Sequence, residues 1–116
     1  MLANLFMKQY VIDELRFQDY ENIKSYLGKK FGSADLERIY WITLDEKILT
    51  ETQAEHTQCH PYYFAVELEE TRISFELLVR TRNRIRCECI GYATSDQLKW
   101  LMNYIDYMFN EIGIII

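Results

Sequence analysis

The stretch Pro61–Ala93 reads PYYFAVELEETRISFELLVRTRNRIRCECIGYA, and its alternation of apolar and polar side chains decides the fold class. Phe64, Val66 and Leu68 fall on one side of an extended chain, while Tyr63, Ala65, Glu67 and Glu69 fall on the other. Ile73, Phe75, Leu77 and Val79 repeat the inward side, with Arg72, Ser74, Glu76, Leu78 and Arg80 outward. A third run sets Ile85, Cys87 and Cys89 inward and Arg84, Arg86, Glu88 and Ile90 outward. The pattern predicts a meander of three half-buried antiparallel strands.

Register follows from the same pattern, because same-face residues must lie opposite one another. Matching the apolar faces pairs Leu68 with Ile73, so Glu69–Arg72 makes a four-residue turn with Glu69 facing Arg72. The second hairpin then pairs Val79 with Ile85 and Arg80 with Arg84, leaving Thr81, Arg82 and Asn83 as its loop. Asn tolerates the left-handed conformation that such loops end on.

Outward from this core, Gln9–Leu15 has the β-branched and aromatic content of a strand. Tyr20, Ile23, Leu27 and Phe31 recur at helical spacing, with Asp19 and Glu21 early, Lys29 and Lys30 late, and Gly32 as a stop. Ser33–Glu37 reads as a connection. Ile39, Tyr40, Trp41, Ile42 and Leu44 form a strand apolar on both sides, which implies a central position or a covered outer face. Asp45–His60 (DEKILTETQAEHTQCH) has no sustained period and reads as a loop with a short helix or as an excursion. The last helix is the clearest: Thr94 with Gln97 fits a capping box, Leu98, Leu101, Met102, Ile105, Met108, Phe109 and Ile112 draw an apolar stripe, and Gly113 ends it. Trp100, Tyr104 and Tyr107 add a second arc.

The expected architecture is α+β: a mostly antiparallel sheet of about five strands with helices on one face, in a single domain over residues 1–116. With 116 residues, 49% of them hydrophobic, one core is expected and disorder is not. A net charge of −5 opposes general attraction to nucleic acid or anionic membrane. The charge is uneven, since Arg72–Arg86 holds five Arg and one Glu. Met1–Met7 lacks the features of a secretory signal, no segment has transmembrane length, and the three Cys are an odd count. A reducing, cytoplasmic setting is expected.

No motif fixes a reaction, and the glycines match no nucleotide fingerprint, so neither an enzyme nor a cofactor is expected. The metal-like cluster is His56, Cys59 and His60, with Cys87 and Cys89 later in the chain. Zinc takes four N or S ligands, which this set can supply. The competing reading makes Cys87 and Cys89 core thiols beside Phe75 and Leu77, and leaves Cys59 as the reactive one in the excursion. Arg80, Arg82, Arg84 and Arg86 form a basic hairpin that can clamp carboxylate or phosphate, which suits an acidic protein partner or, more weakly, nucleic acid. Tyr63, Leu78 and Ile90 stand among those charges as apolar residues rimmed by charge, a usual interface composition. The Trp100, Tyr104, Tyr107 arc is a second candidate surface, with packing against Leu2–Met7 as its alternative. Together these features lead to a non-enzymatic interaction module acting as a homodimer, with a small metal- or ligand-binding protein as the alternative.

Overall fold

The computed structural model describes residues 8–83 and 86–115. Its strands are β1 (Gln9–Ile12), β2 (Ile39–Thr43), β3 (Tyr62–Leu68), β4 (Ile73–Glu76), β5 (Leu78–Thr81) and β6 (Gly91–Tyr92). Its α-helices are α1 (Phe17–Phe31), α2 (Glu51–Glu55) and α3 (Ser95–Glu111). Single 3-10 turns at Glu46–Ile48 and Thr57–Cys59 flank α2. The fold is α+β with a mostly antiparallel sheet, as the alternation predicts.

β3 is the hub. β2 pairs along one edge of it, from Ile39 opposite Glu67 to Thr43 opposite Tyr63. On the other edge β4 and β5 are two halves of one bent strand. Leu68 lies opposite Ile73, and the backbone and side chains of Glu69 and Arg72 close the turn, as the register requires. β1 pairs with the far edge of β4 and β6 with the far edge of β5. Leu77, at the bend, accepts from Ala93 N–H and donates to Lys8 C=O, so β1 and β6 meet end to end there.

The bend corrects the derived register. Val66 faces Phe75, but Tyr63 faces Arg80 rather than Leu78, because a bulge around Leu77 inserts two extra residues. An even insertion leaves every side chain on its own face, so Ile73, Phe75, Leu77 and Val79 all remain buried.

One further expectation is overturned. Among the described residues of the third run, 86–90 form no strand, and Gly91 and Tyr92 pair with β5. Residues 87–90 instead form a turn closed by Ile90 N–H on Cys87 C=O, at 3.0 Å, which draws both cysteines toward residues 56–59. Arg84 and Ile85 lie outside the described residues. β2 pairs with β3 alone among the described strands and is an edge, so of the two readings of its apolar run the covered outer face is the one that holds. Its apolar outer face is shielded locally: Tyr63 packs edge-on to Trp41 at 6.0 Å, the Arg82 guanidinium sits 5.1 Å from the Trp41 ring, and Trp41 Nε1 donates to Asp35 at 2.8 Å.

Both long helices cover the inner face. Ile23 and Leu27 of α1, and Leu101, Ile105, Met108 and Phe109 of α3, join Tyr40, Ile42, Phe64, Val66 and Phe75 in one core. The helices meet at their tyrosines, with the hydroxyls of Tyr26 and Tyr104 3.1 Å apart. No helix among the described residues is long and apolar enough to cross a membrane.

Candidate metal centre

The region of the chain with least periodicity builds the most specific chemistry. Thr50 caps α2 through a capping box with Gln53, the same T-x-x-Q arrangement by which Thr94 and Gln97 start α3. The two boxes are joined. Gln97 Nε2 donates to Gln53 Oε1 at 2.8 Å and to Ile48 C=O at 3.0 Å, and Gln53 Nε2 donates to Cys89 C=O at 3.1 Å. Both glutamines are buried, Gln97 completely, and the low-polarity surroundings make each of these bonds costly to lose.

α2 is one turn and a half long, and His56 at its end opens the 3-10 turn Thr57–Cys59. This places His56 and Cys59 three residues apart on a tight coil. Thr81 Oγ1 donates to Cys59 C=O, while Asn83 Nδ2 reaches Gln58 C=O and His60 C=O at 3.3 and 3.0 Å. The tip of the β5 segment thus holds the coil from one side, and Gln53 fixes Cys89 from the other.

The result is a cluster of four. The donor atoms of His56, Cys59, Cys87 and Cys89 all lie within 4.8 Å of one another. His56 Nδ1 is 3.1 Å from Cys87 Sγ, and Cys59 Sγ is 4.0 Å from the same sulfur. Zinc bonded to sulfur at about 2.3 Å in a tetrahedron sets neighbouring sulfurs about 3.8 Å apart, close to the 4.0 Å between Cys59 and Cys87. His56 Nε2 lies 3.7 Å from a Glu88 carboxylate oxygen, beyond hydrogen-bond length.

The thiols are inequivalent. The backbone N–H of Cys89, foremost among several donors, brings the Cys87 thiol down to about 7, whereas burial pushes Cys89 up to about 11. Cys59 and Cys89 are buried and Cys87 is half-buried, so the expected enclosure holds for Cys89 and is reversed between the other two: Cys59 is enclosed, and Cys87 is the more accessible thiol. The His56–Cys87 contact alone would suit a nucleophile and its base, and the other two thiols converge on the same point.

Of the metal candidates in the sequence, His60 falls away: its Nε2 donates to Gln53 C=O at 2.7 Å. Cys87 and Cys89, named with this cluster in the sequence, complete the set of four; Cys-x-Cys and His-x-x-Cys are each a two-ligand half-site. Gln53 was missed, and the repeated T-x-x-Q spacing was the signal for it.

The interface candidates lie elsewhere. Tyr63, Arg80 and Leu78 are half-buried on the sheet and its bend; Arg80 is held bidentately by Glu76 and Arg82 by Asp35. Arg86 is exposed and Ile90 packs against the core rim, while Arg84 is outside the described residues. Trp100 stacks on Phe64 and on Tyr104, and Tyr104 also meets Phe31 and Tyr26, so this arc is engaged in packing the helices on each other and on the sheet. Burial pushes the Tyr104 hydroxyl up. Tyr107, 51% exposed, ends the arc in solvent. Leu2–Met7 lie outside the described residues.

No known family model matches the chain, and neither does any curated protein or solved structure compared with it.

Proposed function

We propose that the protein is a small zinc protein whose ion is structural, held by His56 Nδ1 and the thiolates of Cys59, Cys87 and Cys89. The observation that carries this reading is the convergence of four nitrogen and sulfur donors, from two segments far apart in sequence, within 4.8 Å. Three soft thiolates and one imidazole select zinc over the hard cations. With all four positions filled by the protein, no coordination site remains open for a water or substrate, and the ion's work is to pin residues 46–60 to the connection between β5 and β6. Binding supplies the free energy to deprotonate even the buried Cys89.

Metal analysis of untagged protein tests this. The expected result is one equivalent of zinc, lost in Cys59→Ser and Cys89→Ser and retained in His60→Ala. Protein that carries and takes up no zinc under reducing conditions, or that loses it with His60, contradicts the reading.

A second role, as an interaction module, is supported by the outer sheet face. There Ile39, Trp41, Ala65, Ser74, Arg80 and Tyr92 border a groove of about 520 Å³. Of the charged residues that line it, Arg80 and Glu76 pair with each other and Glu67 with Arg38, so the groove offers mainly apolar and aromatic surface, which suits a second copy of the chain. The internal pairing of Arg80 and Arg82 makes an acidic partner or nucleic acid the weaker fit.

A further inference from the structure

Resting on the zinc reading, we infer that the centre is a peroxide-responsive switch: oxidation joins Cys59 to Cys87, expels the ion, and leaves a disulfide where the metal had been. Three observations select this pair. The two sulfurs are 4.0 Å apart, about 2 Å beyond the length of an S–S bond. Cys87 is half-buried while Cys59 and Cys89 are buried, so an oxidant from solvent meets Cys87 first. Cys59 then lies behind it as the resolving thiol, and thiolates that are accessible and backed by a second thiol are the ones that oxidise reversibly.

The chemistry balances with hydrogen peroxide as the two-electron oxidant. The Cys87 thiolate attacks one peroxide oxygen; the O–O bond breaks, that oxygen stays on sulfur with its hydrogen as the sulfenic acid, and the other leaves as hydroxide, which takes up a proton to become water. The Cys59 thiolate attacks the Cys87 sulfur, the S–O bond breaks, and a second hydroxide leaves. In total two thiolates, one peroxide and two protons give one disulfide and two waters. Zinc, left with only His56 and Cys89, dissociates. A dithiol reductant reverses the sulfur chemistry and restores the site.

The link has a structural consequence. Cys59 belongs to the coil after α2 and Cys87 to the turn before β6, the same two segments that the metal joins. The disulfide therefore substitutes for zinc as the tie between them. Oxidation would release the ion without releasing the fold, and the oxidised metal-free protein should melt above the reduced, chelator-stripped protein.

The experiment adds hydrogen peroxide to the reduced, zinc-loaded full chain. Zinc release is read with a chromogenic chelator, and thiol connectivity by peptide mass mapping without reduction. The expected result is zinc release in step with a Cys59–Cys87 link, reversed by dithiothreitol and added zinc; Cys89→Ser, which keeps the pair, should form the same link. Zinc retained under a large excess of peroxide, or released with a Cys87–Cys89 or intermolecular link, or with sulfinic acid alone, overturns the switch while leaving the zinc reading intact. A reduced protein that binds no zinc overturns both.

Discussion

Gln53 is the residue on which most of the site depends, because its side chain answers the caps of two helices and the carbonyl of a ligand at once. Gln53→Met keeps its length and removes its polar atoms. Thr50 N–H and Cys89 C=O are then left without partners, at roughly 1–3 kcal/mol each. The expected outcome is a loss of about 2–4 kcal/mol in denaturant melts, together with a zinc affinity about 10–100-fold weaker, the usual effect of removing a group that orients a ligand. A loss under about 1 kcal/mol would mean that water restores those bonds. The partner glutamine was legible in the sequence because Thr94 and Gln97 precede an obvious apolar stripe. Gln53 was not, since a helix as short as α2 shows no period to draw attention to its cap. Which role Cys87 and Cys89 take was not legible for a related reason: period two describes a half-buried strand and a Cys-x-Cys ligand pair equally well, and only the fold brings His56 and Cys59 alongside.

Among the elements, the turn leading into β2 shows what is formed against local preference. Leu36 and Glu37 both have positive φ, and Arg38 N–H closes back on Asp35 C=O at 3.1 Å, a hairpin turn normally made by Asn-Gly. Leu36 is 75% exposed, so its side chain gives little in return for the strain. Leu36→Asn with Glu37→Gly should raise stability by about 1–2 kcal/mol, read from the thermal or denaturant midpoint. A decrease would show that Leu36 makes a contact its exposure does not suggest. Strand and helix identities were legible wherever a period ran unbroken, as in β3, β4, α1 and α3. The bulge at Leu77 was not, because inserting two residues preserves the inside-outside pattern that register was derived from. Nor was the edge position of β2: Trp41 and Ile39 are apolar on the outer face, but a cation, an aromatic edge and a carboxylate shelter Trp41 there in place of another layer.

At the scale of the whole molecule the two long helices use one face of the sheet, and the other face keeps Val11 and Tyr92 exposed with Trp41 between them and the edge. If that face joins two copies, light scattering at micromolar concentration will give twice the chain mass, and Tyr92→Glu, placing a charge at two points of a two-fold interface, will give one. A wild-type mass of one chain throughout would remove the dimer and leave the zinc centre untouched, since its four donors all come from one chain. That centre is the central claim, and the measurement closest to it is zinc K-edge X-ray absorption on the reduced protein. The expected first shell is three sulfurs at about 2.3 Å and one nitrogen at about 2.0 Å. A shell of nitrogen and oxygen alone, or one with fewer sulfurs and a water-derived oxygen, would contradict the assignment of His56, Cys59, Cys87 and Cys89 as a closed structural site.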